Sequence, residues 1–142
     1  MSYSPAFSQA IEILISIEMK SREDCNVVYL SIPKIAEGLS IPVPSVKRLV
    51  SMLKKSGLIS SKIGMTGGLV LTRRIDEIRL YDVLFAVEGQ RPLFQIYEGF
   101  DVETFQSKEE VIPMIMRTKG ILQEIDDAMV TALKAKTLAD LF

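Results

Sequence analysis

The sequence lacks several residue types on which enzymes and metal sites depend. Its 142 residues include no histidine, no tryptophan and a single cysteine, Cys25. One cysteine cannot form a disulfide within the chain, and without histidine there is neither a Cys/His zinc site nor a Ser-His or Cys-His nucleophilic relay. We therefore expect a protein that is not an enzyme and that holds no metal or other cofactor.

Long hydrophobic runs are also missing. No stretch approaches the roughly 18 apolar residues of a membrane span, and the N-terminus lacks the basic start and small-residue cleavage site of an export signal. The 48% of hydrophobic residues nevertheless suffices for one compact core. We expect a cytoplasmic protein of one domain with a helical extension and no membrane partner.

Charge is unevenly distributed along the chain. The net charge is -1, yet the segment from Gly38 to Ile75 carries seven of the 17 basic residues and none of the 18 acidic ones. The rest of the chain has ten bases against 18 acids, a net charge of -8. A basic segment in an acidic chain is typical of a surface that faces a polyanion such as DNA, and a solvated basic helix is the alternative.

The basic segment has the pattern of a helix-turn-helix. In SIPVPSVKRLVSMLKKSGLI, residues 40–59, two prolines stop one helix and begin another, which Gly57 ends. A buried stripe at helical spacing consists of Val46, Leu49, Val50 and Leu53. The free face and its flank carry Pro44, Lys47, Arg48, Ser51 and Lys55, with Ser45 at the helix start. Bases on the free face of a second helix are typical of DNA recognition.

A glycine-rich stretch, SSKIGMTGGLVLTRR at residues 60–74, follows directly. It is not a P-loop, because Leu69-Val70 stands where a lysine and a serine or threonine are required. It leads into a strand rather than a helix, which excludes a dinucleotide fingerprint. We interpret it as a β-hairpin, the wing of a winged helix, whose glycine tip approaches DNA closely. The wing residues expected at DNA are Ser61, Lys62, Thr66, Gly67 and Gly68.

Other elements follow from local patterns. We predict a first helix near residues 5–20, a short strand at 27–30, a helix at 32–39 begun by Ser31, a helix at 80–88 and an irregular segment at 90–106. Ser107 and Glu110 fit a capping box, and Pro113 predicts an opening turn that is separate from the main helix or kinked against it.

The C-terminal segment has two apolar sides. A seam with steps of three and four residues, suited to helix pairing, contains Ile115, Thr118, Leu122, Ile125, Met129 and Ala132. This seam fits a dimer interface, and it equally fits packing against the protein's own first helix. The predicted organisation is a winged helix-turn-helix domain at 1–89, a linker at 90–106 and a dimerisation helix region at 107–142.

With the parts in this order, the chain resembles the Rrf-two family of bacterial winged-helix regulators, the IscR-like proteins. The resemblance runs nearly end to end and rests on KIAEGLSI (34–41), LKKSGLISSKIGMTGGLVL (53–71), EIRLYDVLFAVEG (77–89) and TLADLF (137–142). It implies a homodimer that is held by the long C-terminal helix and binds an imperfect palindromic DNA operator, with one winged helix on each half-site.

The chain also departs from the IscR-like pattern. IscR-like members hold an iron–sulfur cluster on three cysteines of the irregular segment, and residues 91–107 contain none, so we expect cluster sensing to be absent. The family includes cluster-free members, some of which respond to a partner protein, so a protein or small-molecule effector stays open. Ser45 stands where an aromatic residue is common and Ile63 where the wing often has arginine, so base preference cannot be carried over.

We therefore predict a mainly α-helical protein with a small β-hairpin wing. Its predicted function is that of a dimeric winged-helix transcription regulator, and we expect a repressor. The alternative is a winged helix used as a protein-docking module, because the first helix lacks bases. A thiol switch at Cys25 is a third hypothesis. Lys20 and Arg22 favour the thiolate there, whereas Glu23 and Asp24 oppose it.

Overall fold

The computed structural model describes residues 4–23, 30–64 and 67–142. The longer helices are α1 (Ala6–Glu23), α2 (Ile32–Leu39), α3 (Val43–Lys55), α4 (Leu80–Glu88) and α5 (Lys108–Lys134). Two strands, β1 (Ile59–Lys62) and β2 (Gly68–Leu71), form an antiparallel hairpin between α3 and α4. Short 3-10 turns lie at Ile75–Glu77, Val102–Thr104 and Leu138–Leu141. The fold is thus mainly helical with one hairpin, as predicted.

The core is built from the buried sides of α1, α3 and α4. Ile13, Leu14 and Ile17 of α1 pack with the buried stripe of α3 and with Val83 of α4. Leu58 and Leu69 bring the base of the hairpin into the same cluster. Helix α1 buries five side chains, α3 four and α4 two, and burying these apolar faces together holds the helix-turn-helix and the hairpin in one unit.

The C-terminus returns to this core. The side chain of Leu138 is 1% exposed, and its amide donates to the carbonyl of Ile78 at 2.9 Å. The amide of Leu80 donates to the carbonyl of Lys136 at the same distance. These two bonds pair the entry to α4 with the chain after α5, so the C-terminal end of α5 is tied back to the domain.

The predicted start of α5 is wrong in two respects. The Ser107 side chain makes no capping bond, because its ψ of 52° is far from the extended 162° that lets Ser31 cap α2. Pro113 does not separate an opening turn either, since Lys108–Lys134 is one helix with the proline inside. The alternative, a kink at Pro113, stays a prediction, because the proline lacks the amide that would bond the Glu109 carbonyl and its ring crowds that carbonyl.

The other predicted elements are confirmed within the described residues. The helices at 5–20, 32–39 and 80–88 correspond to α1, α2 and α4, and residues 90–106 are irregular apart from one 3-10 turn. Of the predicted strand at 27–30, only Leu30 is described, and it forms an antiparallel bridge with Leu69. Residues 27–29 and Cys25 lie outside the described residues.

Candidate nucleic-acid interface

Helix α3 separates an apolar side from a basic side. Val46, Leu49, Val50 and Leu53 are each no more than 2% exposed. The side chains of Lys47, Arg48, Ser51, Lys54 and Lys55 are exposed on the same helix. The i, i+3, i+4 and i+7 spacing predicted this division, because such residues fall on one side of an α-helix. We call Lys47, Arg48, Lys54 and Lys55 the basic face.

Within the described part of the chain, the basic face has no carboxylate partner. The ion pairs there lie elsewhere, for example Arg22 with Glu18 at 3.1 Å and Arg74 with Asp76 at 2.6 Å. Since residues 38–75 contain no acid, no neighbour along the chain can neutralise α3. Its four cations are thus free to attract phosphates, which is the electrostatic basis of DNA binding.

The turn before α3 sets how the helix is presented. Ser40 adopts φ 53° and ψ 41°, and its amide donates to the carbonyl of Glu37, which ends α2. Pro42 then occupies the N-cap of α3 in an extended conformation. The link between the two helices is therefore only three residues long, which gives a compact helix-turn-helix with α3 as its second helix.

The hairpin is fastened to the C-terminal end of α3. Gly57 has φ 74°, a left-handed conformation in which its amide bonds the carbonyl of Lys54 at 2.9 Å. The amide of Leu58 returns to Leu53 at 3.0 Å, and β1 begins at the next residue. Thr72, just after β2, donates its amide to the Leu58 carbonyl at 3.1 Å. These bonds thereby hold helix α3 and the hairpin beside each other.

The strands are in a register that places Lys62 opposite Gly68. The exposed Ser61 pairs with Leu69, which is 3% exposed and whose amide donates to the Leu30 carbonyl at 2.9 Å. Strand β2 is therefore anchored to the core through Leu69, while Ser61 and Lys62 of β1 are exposed to solvent. A short hairpin of this kind beside α3 is the wing of a winged helix.

Two glycines at the hairpin tip have different roles. Gly64 has φ 127°, a conformation that other residues rarely adopt. Gly67 does not have a positive φ, but a Cβ atom there would lie 2.2 Å from the carbonyl oxygen of Lys62 and 2.9 Å from that of Gly64. Its amide also donates to the Gly64 carbonyl at 3.0 Å. Gly67 is thus required because two backbone segments meet there.

The predicted DNA-binding residues can now be placed. Pro44, Lys47, Arg48, Ser51 and Lys55 are exposed on α3 and Ser61 and Lys62 on β1, while Ser45, Gly67 and Gly68 are half-buried; Thr66 lies outside the described residues. Two further bases that the sequence pattern placed beside these residues, Lys54 on the flank of the free side of α3 and Arg73 after the glycine tip, are also exposed.

A second charged cluster joins α4 to α5. Burial alone would raise the pKa of Asp82, but hydrogen bonds from the side chain and the amide of Arg79 outweigh it, so the pKa of Asp82 lies below its usual value. The same pairing raises the pKa of Arg79. The Tyr81 ring lies between two cations, with Lys134 of α5 4.8 Å and Arg79 5.8 Å from its centroid. This cluster stabilises α4, which packs on α3.

The predicted dimerisation residues divide between two environments. Ile115, Leu122 and Met129 are half-buried and face side chains of their own chain: the first two lie near residues 95–100, and Met129 lies near Tyr81. Thr118, Ile125 and Ala132 are exposed. On the exposed side α5 also carries Met114 and Ile121, 56% and 55% accessible. The apolar residues available to a second copy are therefore shifted round the helix from the predicted seam.

The donor set of the chain does not fit an iron–sulfur cluster. The chain supplies one thiol and no imidazole, whereas a cluster commonly takes four cysteine ligands. Among the described residues, no group of three or more acidic, cysteine or histidine side chains is placed to hold a metal. None of the helices in the described ranges is long and apolar enough to cross a membrane.

Comparison with known proteins agrees with this geometry. The family model Rrf2, described as an iron-dependent transcriptional regulator, matches residues 3–142. The protein rrf2 of Nitratidesulfovibrio vulgaris is 31% identical over 134 residues, covering 91% of this chain and 79% of the relative. A second relative is YffB of Lactococcus lactis, which is named as an HTH-type transcriptional regulator. It is 27% identical over 139 residues, covering 98% of this chain and 85% of the relative.

Solved structures show the same fold. CymR, the global cysteine regulator of B. subtilis, superposes with a TM-score of 0.71 at 24% identity, covering 99% of this chain and 95% of that one. IscR of T. potens gives 0.70 at 22% identity, covering 99% and 85%. With the family model spanning nearly the whole sequence, this chain belongs to the Rrf2 family of DNA-binding winged-helix transcription regulators.

Proposed function

We propose that this protein is a dimeric repressor that binds an imperfect palindromic operator and works without an iron–sulfur cluster. The observation that carries the proposal is the basic face of α3, four exposed cations without carboxylate partners among the described residues. A DNA duplex presents phosphates on both sides of its major groove, so such a helix gains affinity from counterion release and specificity from base edges. Arg48 and Lys55, which lie about two turns apart on the free side of α3, are the main candidates for these contacts.

The wing adds a second contact to the same duplex. Lys62 and the glycine tip stand at the free end of the hairpin. Backbone amides and a lysine at this position suit phosphate oxygens, which position the protein without reading sequence. We expect α3 to determine which operator is bound and the wing to increase affinity for every operator.

A second copy would pair through the exposed side of α5. Met114, Ile121 and Ile125 lie within roughly 40° of one another around the helix axis, and each is at least 45% exposed. We call these three residues the apolar stripe. Two 27-residue helices, each about 40 Å long at 1.5 Å per residue, could bury their stripes together. A two-fold dimer then carries two α3 helices, which matches a palindrome.

Repression follows from this arrangement by occlusion, since a dimer that covers an operator excludes other proteins from the same DNA. The signal that releases it is not an iron–sulfur cluster, because the chain has one cysteine and no histidine. We therefore expect that the iron dependence in the family description, where it rests on such a cluster, does not extend to this chain.

The decisive experiment is selection of bound fragments from the DNA of the source cell, followed by footprinting. We expect a few fragments, each with two protected half-sites whose centres lie one helical turn, about 34–36 Å, or a multiple of it apart. Equal retention of all fragments with no footprint would contradict sequence-specific binding.

Protein docking is the second candidate function, and one observation favours it. Ile63, at the tip of the hairpin, is fully exposed, and α1 carries Ser8, Gln9 and Glu12 where bases would help to hold DNA. The dependence of binding affinity on salt concentration distinguishes the two functions. DNA affinity should fall with a log–log slope of about -0.9 for each phosphate contacted, whereas apolar docking through Ile63 should change little.

A further inference from the structure

A concave, mainly apolar site lies between the linker, residues 90–106, and the first half of α5. It has a volume of about 340 Å³, within the range of about 300–1,000 Å³ that is usual for small-molecule sites. Its lining residues are Ile96, Phe100, Ile115 and Leu122, together with Gln95, Tyr97, Thr118 and Lys119. One wall comes from the linker and the other from the helix.

The linker wall is organised by contacts of its own. Phe100 stacks on Phe105 with 5.8 Å between ring centroids and 10° between planes. Tyr97 folds over Gly99 so closely that a Cβ atom on the glycine would lie 2.7 Å from the tyrosine hydroxyl oxygen. Although the linker is irregular, it therefore holds the side chains of Tyr97 and Phe100 at the edge of the cavity.

The charge in this site is supplied by α5. Among the described residues that line the cavity, Lys119 is the charged one. Its ammonium group bonds Glu98 at 2.6 Å, and the Glu98 side chain is 72% exposed and does not line the cavity. An ion pair this exposed contributes little free energy, so a ligand carboxylate can replace Glu98 at Lys119 without a large penalty.

We propose that this cavity binds a small amphipathic carboxylate, with its apolar body between Phe100, Ile115 and Leu122 and its carboxylate on Lys119. The site lies within one chain, and Ile115, Lys119 and Leu122 lie about 80–140° round α5 from the middle of the apolar stripe, so these three residues face away from a second copy that covers the stripe. The polar groups of Gln95 and Tyr97 at the rim provide hydrogen-bonding partners for the ligand. Ligand binding here does not depend on DNA binding, so the two proposals can fail separately.

The test uses octanoate as the probe, with octanol as its uncharged counterpart, and isothermal calorimetry on the full chain. Octanoate should bind more tightly than octanol. Lys119→Gln should weaken octanoate binding about tenfold, the loss expected for one charge-assisted hydrogen bond, and leave octanol affinity nearly unchanged. Arg117→Gln, which removes a cation from the same helix outside the cavity, should change neither affinity.

A second pair of variants tests the location without disturbing the core. Thr118 is exposed and lines the cavity, so Thr118→Trp should fill it and weaken binding of both probes about tenfold or more, whereas Arg117→Trp should not. Unchanged octanoate affinity in Lys119→Gln and Thr118→Trp would overturn the proposal. So would octanoate binding that appears only when the dimer is dissociated, since a second copy would then be the occupant.

Discussion

The amide of Leu93 donates a hydrogen bond to the carboxylate of Asp126 at 2.8 Å, across 33 residues of sequence. Asp126 is 7% exposed, and it is the buried charged residue in the described part of the chain. A buried carboxylate is tolerated when backbone donors satisfy it. This bond fixes the start of the linker to the middle of α5, and so it supports the linker wall of the cavity.

Removal of this bond should loosen the linker. Asp126→Ala leaves the Leu93 amide without its partner, and we expect a loss of about 1–3 kcal/mol in the free energy of unfolding, together with faster proteolysis within residues 90–106. Urea unfolding and limited proteolysis measure the two effects. Asp126→Asn, which keeps an acceptor oxygen, is the matched control and should lose less. Equal losses in both variants would show that the carboxylate charge, and not the bond to Leu93, is what matters.

Two Gly→Ala changes should have opposite effects on stability. At Gly67 a Cβ atom would lie 2.2 Å from the Lys62 carbonyl oxygen, so the hairpin must shift, and we expect a loss of about 1 kcal/mol or more. At Gly120, inside α5, nothing lies within 4 Å of the added Cβ. Alanine there should stabilise the protein by about 0.5–1 kcal/mol through its higher helix propensity.

Thermal unfolding of the two variants beside the wild type provides the comparison. If Gly67→Ala leaves the melting temperature unchanged, the close approach of the two backbone segments at the hairpin tip is not required for folding. A lower melting temperature for Gly120→Ala would contradict the expectation that an added methyl group at this position meets no neighbour.

Dimerisation should depend on the apolar stripe of α5. Ile121→Glu with Ile125→Glu places like charges in a closing apolar interface, where unpaired carboxylates are costly, and the variant should sediment as a folded monomer. Met116→Glu is the matched control, since Met116 is 67% exposed on nearly the opposite side of the helix, and it should remain dimeric. A dimer that survives the double change would place the interface elsewhere.

The pairing of Asp82 with Arg79 at the start of α4 should make the free energy of unfolding depend on pH in the acid range. The pKa of Asp82 lies below its unfolded value of 3.8 in the folded protein because Arg79 stabilises its charged form. Its contribution is therefore present above pH 3.8 and is lost as the pH falls through the lower, folded pKa. Asp82→Asn should be less stable than the wild type at neutral pH, and the difference should shrink in this acid range. Urea unfolding at several pH values measures it, and a constant difference would contradict the pairing.

The helix-turn-helix and the wing could be predicted from local patterns. The stripe of α3, the Ser31 cap and the left-handed Gly57 each depend on residues within one turn of each other, so the sequence displays them directly. The Ser107 cap was predicted wrongly, because the same serine pattern caps only when the backbone is extended.

Contacts between distant segments could not be predicted in this way. Nothing in the local sequence around Asp126 indicates that it accepts from Leu93, or that Leu138 enters the core. The orientation of α5 shows the same limit. Of its three-four seam, Leu122 lies beside the linker of its own chain, whereas Ile121, outside the seam, is exposed.

The most direct test of the central claim is the affinity of Arg48→Ala with Lys55→Ala for a selected operator, measured by mobility-shift titration at several salt concentrations. Specific binding should be lost, because a base-edge contact contributes about 1–3 kcal/mol and each phosphate contact adds salt-dependent affinity. Arg117→Ala with Lys136→Ala removes two exposed bases outside α3 and should bind like the wild type. Undiminished operator affinity and an unchanged salt slope in the α3 variant would contradict DNA recognition by this helix.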